Sequence, residues 1–156
     1  MDVIELIIKN LSLSIDKYEN ASMAVPGGTS PIKIFHELSK QKLDWSKVQI
    51  TLVDDRLVDT ENEHSNQKLI RNHLLKNEAQ ISNFIPLNKK IYKDNNFKFP
   101  LDICLLGIGN DGHFASLFPN MINNTNTLDP KSKPNINEIK ANGDPFLPRI
   151  SMNLPL

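Results

Sequence analysis

The chain has 156 residues, a length that suits one domain built around one core. Its 18 lysines plus arginines balance 18 aspartates plus glutamates, and a net charge of zero argues against a broad electrostatic footprint for nucleic acid or an anionic membrane. The single cysteine, Cys104, excludes an intrachain disulfide framework, no apolar window reaches the roughly 18 residues of a membrane span, and no signal peptide is visible, so the sequence reads as a soluble cytoplasmic chain.

In chain order, DVIELIIKNLSL (2–13) places Val3, Ile4, Ile7, Ile8 and Leu11 at helical spacing and predicts an amphipathic helix. ASMAVPGG (21–28) reads as a short buried strand ending in a turn. Ser30 and Pro31 predict the next helix start, with serine as cap and proline at the first helical position, and Ile34, Phe35 and Leu38 as its buried stripe. VQITLVDD (48–55) predicts a β-branched strand ending on two acids. Ser65 is placed to cap a helix whose Leu69, Ile70, His73 and Leu74 share a face. ISNFIPL (81–87) suggests a short strand, and LDICLLG (101–107) a fully buried one, with Cys104 a small hydrophobe rather than a nucleophile. Residues 120–149, rich in Asn, Pro and Lys, read as a long surface excursion, after which ISMNLPL alternates like a strand. Alternating strands and helices indicate a single α/β domain over residues 1–156 with a mainly parallel sheet.

Three polar clusters fall at the carboxyl ends of predicted strands, where such sheets bind ligands. In PGGTSP (26–31), Gly27 and Gly28 expose backbone N–H groups, Thr29 and Ser30 add hydroxyls, and the following helix points its positive end at the same place. That suits a phosphate, although the same residues also make an ordinary strand-to-helix turn. In DDRLVD (54–59), Arg56 is one of three arginines, with Arg71 and Arg149. Its guanidinium suits bidentate contact with phosphate, with Asp54 or Asp55 orienting it or a sugar hydroxyl, against the alternative of a solvated loop with a local ion pair. In GIGNDGHFASLFP (107–119) the first six residues spell G-x-G-x-x-G, but Pro119 leaves little room for the helix that a dinucleotide fingerprint needs. His113 follows Gly112 directly and is the side chain best suited to move protons near neutral pH, with Asp111 placed to position it or a water. Ser116 lacks the G-x-S-x-G context of a nucleophile, and the acids and histidines lack metal-ligand spacing.

PGGTSP, DDRLV followed by Ser65-Asn66, and GIGNDGHFASLFP resemble, in order and spacing, the S-G-G-[ST]-[TS]-P, D-E-R-x-V with S-N, and G-x-G-x-D-G-H-x-A-S-L-F-P signatures of the 6-phosphogluconolactonase family. The related glucosamine-6-phosphate deaminases share the glycine loop and DGH but continue toward I-A-F-N-E-P. The resemblance implies a Rossmann-like open sheet with helices on both faces. It implies hydrolysis of 6-phospho-D-glucono-1,5-lactone in the pentose phosphate pathway, without cofactor or metal, by a monomer. His113 takes the place of the catalytic histidine, with Asp111 beside it. Gly27, Gly28, Thr29, Ser30, Asp54, Arg56, Gly109 and Gly112 fall with the substrate. The alternatives are a deaminase-like isomerase and a non-catalytic sugar-phosphate-binding remnant. Pro26 and Asp55 depart from the family's serine and glutamate. Family members also continue past the position of Leu156 through another strand and helices bearing a basic residue, so an incomplete sheet layer and an exposed apolar surface are expected here.

Overall fold

The computed structural model describes residues 2–91, 97–121 and 125–155. Helix α1 (Val3–Tyr18) starts after Asp2, whose N–H donates to Glu5 Oε2 at 3.3 Å, and ends at Glu19 in the left-handed region. It runs five residues past the predicted segment because its buried stripe of Ile7 and Leu11 continues to Ser14 and Ile15. Val3, at the start of the predicted stripe, is exposed.

Strands β1 (Ala21–Val25), β2 (Val48–Leu52), β4 (Asn83–Phe84) and β5 (Ile103–Cys104) form one parallel sheet in the order β4-β2-β1-β5. All five residues of β1 are buried, as befits a strand covered on both faces. The chain steps outward from β1 to β2 to β4, then returns to the other side of β1 for β5. The order therefore reverses between β1 and β5, and a crevice opens beyond their carboxyl ends. The loops that flank it are PGGTSP and GIGNDGH. Helices α2 (Ile32–Leu38) and α3 (Asn66–His73) complete this half of the molecule with α1. Trp45, Phe35, Leu38, Ile50, Ile70 and Leu74 fill the core, and the Trp45 indole N–H is satisfied by Gln41 O at 2.8 Å. Burying each such side chain contributes about 1.5–3 kcal/mol. Among the described residues no helix is long and apolar enough to cross a membrane.

Four expectations are corrected. VQITLVDD is not one strand. Val53 donates its N–H to Val25 O (3.0 Å) and accepts from Met152 N–H (2.9 Å), so the chain changes partners there. β3 (Asp54–Arg56) then pairs antiparallel with β7 (Leu147–Met152), which pairs antiparallel with β6 (Ile136–Asn142). This second, three-stranded sheet also replaces much of the expected excursion over 120–149, of which residues 122–124 lie outside the described residues. Its apolar anchors, Ile136, Ile139, Ile150 and Met152, are few, and a register shift between Ile139 and Asn142 breaks the two-residue period that would have revealed β6. LDICLLG is paired only over Ile103–Cys104 and only to β1, so Cys104 and Leu106 are exposed. Apolar composition there marks an edge rather than a covered strand. Finally, Ser30 does not cap α2. Pro31 occupies the cap position, and Ile32 N–H donates to Thr29 O at 3.2 Å instead. Ser65 does cap α3, accepting from Lys68 N–H at 3.3 Å. Ile108 and Phe146 are the most exposed large apolar side chains described.

Candidate active site

A cavity of about 220 Å³ occupies the crevice. Gly27, Gly28, Ser30, Asp54, Arg56, Gly109 and His113 line it, so two loops and strand β3, separated by up to 86 positions, meet at one place. Thr29, Asp111 and Gly112 lie outside that lining. The wall also contains Asn66 and Arg149, which the sequence motifs did not single out as site residues.

At one side, the turn after β5 presents His113. Gly109 N–H donates to His113 O at 2.8 Å and Gly112 N–H to Gly109 O at 2.9 Å, which closes the turn. The ring lies directly over Gly109, where a Cβ would stand 2.3 Å from the imidazole, so only glycine fits. His113 Nδ1 sits 2.5 Å from Asp111 Oδ1. The hydrogen bond to the His113 ring, followed by that from the His113 N–H, holds the exposed Asp111 carboxyl below the usual carboxylate range. The imidazole also stacks on Phe118, with centroids 4.8 Å apart.

Two arginines line the same cavity. Arg56 and Arg149 face each other across the β3–β7 pair. Arg56 Nη1 donates to Asn66 Oδ1 (2.8 Å) and His64 O (3.1 Å). Arg149 is 3% exposed; its Nε donates to Asn142 O and its Nη2 to Pro145 O, both at 2.9 Å, so the β6–β7 turn fixes its plane. Its guanidinium also lies over the Phe118 ring, 5.4 Å from the centroid. Burial, and then the neighbouring Arg56, push the Arg149 pKa down against the pull of Asp54 and Asp144. Between the arginines and the turn lies Asp54, where burial pushes the carboxyl up against the pull of Ser116, Arg56 and Arg149.

The glycine loop closes the third side. A Cβ on Gly27 would fall 1.8 Å from Asn66 Oδ1, so the loop rests on the Asn66 side chain. Asp55 points away from the arginines: its carboxylate accepts from Asn66 N–H (2.7 Å), Arg56 N–H (2.8 Å) and Gln67 N–H (3.2 Å) and so caps α3. Burial raises its pKa against those three donors. Ser116 is buried with its hydroxyl engaged by Asp54, which removes it as a nucleophile. Among the described residues, no group of three or more His, Cys, Asp or Glu side chains is gathered as metal ligands would be. A proton-transfer group, hydrogen-bond donors and a cationic end thus share one cavity, an arrangement able to bind an anionic ester and deliver water to it.

The chain is similar to known proteins over most of its length. A family model described as glucosamine-6-phosphate isomerases/6-phosphogluconolactonase matches residues 1–156. The chain is 38% identical over 144 residues to a 6-phosphogluconolactonase of Rhizobium meliloti, covering 85% of this chain and 62% of that protein. It is 41% identical over 119 residues to one of Neisseria meningitidis, covering 68% of this chain and 51% of that protein. The crystal structure of a 6-phosphogluconolactonase from Shewanella baltica superposes with a TM-score of 0.82 at 32% identity, over 97% of this chain and 68% of that one. The chain therefore spans about half to two thirds of the length of these curated relatives.

Proposed function

The chain belongs to the glucosamine-6-phosphate isomerase/6-phosphogluconolactonase family, and on that premise we propose that it hydrolyses 6-phospho-D-glucono-1,5-lactone to 6-phospho-D-gluconate, the second step of the pentose phosphate pathway. The observation that carries this reading is that one cavity is lined by His113, Arg56 and Arg149 together.

The phosphate takes the arginine end, where two guanidiniums and the glycine-loop N–H groups supply donors in the fork and nest geometries that suit its oxygens. The lactone carbonyl then lies at His113. With Nδ1 protonated and held by ionised Asp111, Nε2 is the free base. It takes a proton from water as the water oxygen bonds to the lactone carbonyl carbon. The tetrahedral oxyanion collapses, the bond from that carbon to the ring oxygen breaks, and the imidazolium returns its proton to the leaving oxygen. One water is consumed and the ring opens to the acid. General base catalysis of this kind is worth about 10²–10⁴-fold. Binding at the phosphate adds orientation without touching the reacting bond. No cofactor is required.

The test is lactone hydrolysis by the purified chain, measured above the spontaneous rate. The His113→Ala variant is expected to lose at least about 10²-fold in kcat. Full activity in that variant rules out the proposed base. Phosphate-competitive binding without turnover points to a non-catalytic sugar-phosphate module, and ammonia release from glucosamine 6-phosphate to the isomerase-deaminase branch.

A further inference from the structure

Along the cavity wall runs a chain of hydrogen bonds that leads from Ser116 through Asp54 and Asn66 to Arg56. Ser116, fully buried, has its Oγ 2.5 Å from Asp54 Oδ2. Asn66 Nδ2 donates to the Asp54 carbonyl at 2.9 Å and to Asp54 Oδ1 at 3.3 Å. Asn66 Oδ1 accepts from Arg56 Nη1 at 2.8 Å, and the same side chain supports Gly27. One end of the chain therefore stands three residues from His113 and the other is Arg56. The Ser116 N–H also donates to Ser151 Oγ at 3.3 Å, on the strand that carries Arg149. Between His113 and Ser116, Ala115 holds φ at 50°, a left-handed conformation that alanine adopts only at an energetic cost, so the turn needs an anchor. A buried polar chain costs desolvation that an apolar set would avoid, and its members are worth keeping where they fix a geometry.

We infer that the Ser116–Asp54–Asn66–Arg56 chain is a positioning device that sets the spacing between His113 and the arginine end, making turnover selective for a lactone whose phosphate and carbonyl match that spacing. Ser116 and Asn66 are its positioning residues, acting through Asp54 and Arg56. The inference rests on the lactonase reading. It predicts that breaking the chain matters only when both ends of the substrate are held.

The experiment compares 6-phosphogluconolactone with unphosphorylated glucono-1,5-lactone, each corrected for spontaneous hydrolysis. Ser116→Ala is expected to lower kcat/KM for the phosphorylated lactone about 10–100-fold, chiefly in kcat, since misplacement of about 1 Å has that effect. The unphosphorylated lactone, which has no anchor at Arg56, should change less than about threefold. Asn66→Ala should lower the same ratio, and the double variant should fall no further, because both break one chain. Equal losses on the two lactones, additive losses, or an unchanged ratio overturn the inference. If Ser116→Ala does not fold, Ser116→Cys, with a weaker donor at the same place, is expected to show a smaller loss of the same kind. If the parent chain hydrolyses neither lactone, the lactonase reading fails on its own. Calorimetry then decides the positioning: 6-phosphogluconate should outbind inorganic phosphate, and Ser116→Ala should abolish that advantage while leaving phosphate affinity unchanged. Retention of the advantage overturns the inference.

Discussion

His113 depends on a residue that carries no side chain. Its imidazole is held by Asp111, by the stacked Phe118 ring and by the close approach of Gly109. A methyl group at position 109 has no space unless the ring moves. Gly109→Ala is therefore expected to lower kcat at least about tenfold through displacement of the base. KM should change little, because the arginine end is untouched. The turn is largely exposed, so the melting temperature should stay within a few degrees; steady-state kinetics beside a thermal melt checks both. A variant with unchanged kcat means that the imidazole is not held where the structure has it.

At the scale of elements, the amino ends of the parallel strands are tied by a second polar cluster, remote from the cavity. Asp102, just before β5, accepts from Ser14 Oγ of α1 and from the Ser22 N–H of β1, each at 2.7 Å, and pairs with Lys98. Burial acts to raise the Asp102 pKa, but Lys98, Ser14 and the Ser22 N–H together hold it below the usual carboxylate range. A carboxylate with a depressed folded pKa adds stability that is present above its unfolded pKa, about 3.9, and is lost as pH falls through the lower folded value. Asp102→Asn should accordingly destabilise the protein by about 1–3 kcal/mol at neutral pH. The gap from the parent chain should close below about pH 4. Urea midpoints measured across that range test the sign; a gap that widens in acid contradicts the assignment.

At the scale of the whole molecule, two sheets of opposite character share the site. The parallel sheet provides the glycine loop and the His113 turn; the antiparallel sheet provides Arg56 and Arg149. Val53 joins them by bonding to both Val25 and Met152. An anion that bridges the two halves must stabilise the fold by linkage. At a hundredfold excess over Kd the gain is about 2.7 kcal/mol. For a domain of this size that is a rise in Tm of about 5–10 °C. Scanning fluorimetry with 6-phosphogluconate should show this rise, weakened by added salt and lost in Arg149→Met. A full rise in that variant would remove Arg149 from the anion site.

The sequence by itself determined what acts between neighbours. Helical spacing marked Ile7, Leu11 and Ile70, the Ser65 cap marked the start of α3, and alternating strands and helices marked an α/β domain with its glycine-rich and acidic loops at one end of the sheet. These are legible because propensity, capping and periodicity operate over one to four residues. The tertiary structure alone decided that Arg149 stands opposite Arg56, that Ser116 reaches Asp54, and that Asn66 underlies Gly27. Each of those relations depends on strand register and crossover, which bring together residues 39 to 93 positions apart. Arg149 had one visible sign, an arginine among Ile150, Met152 and Leu147, but no local rule says what a buried guanidinium faces. The antiparallel sheet was hidden for the same reason. The sparse apolar residues of β6 satisfy no period of their own and are buried because β7 pairs with them and Ile136 joins the common core.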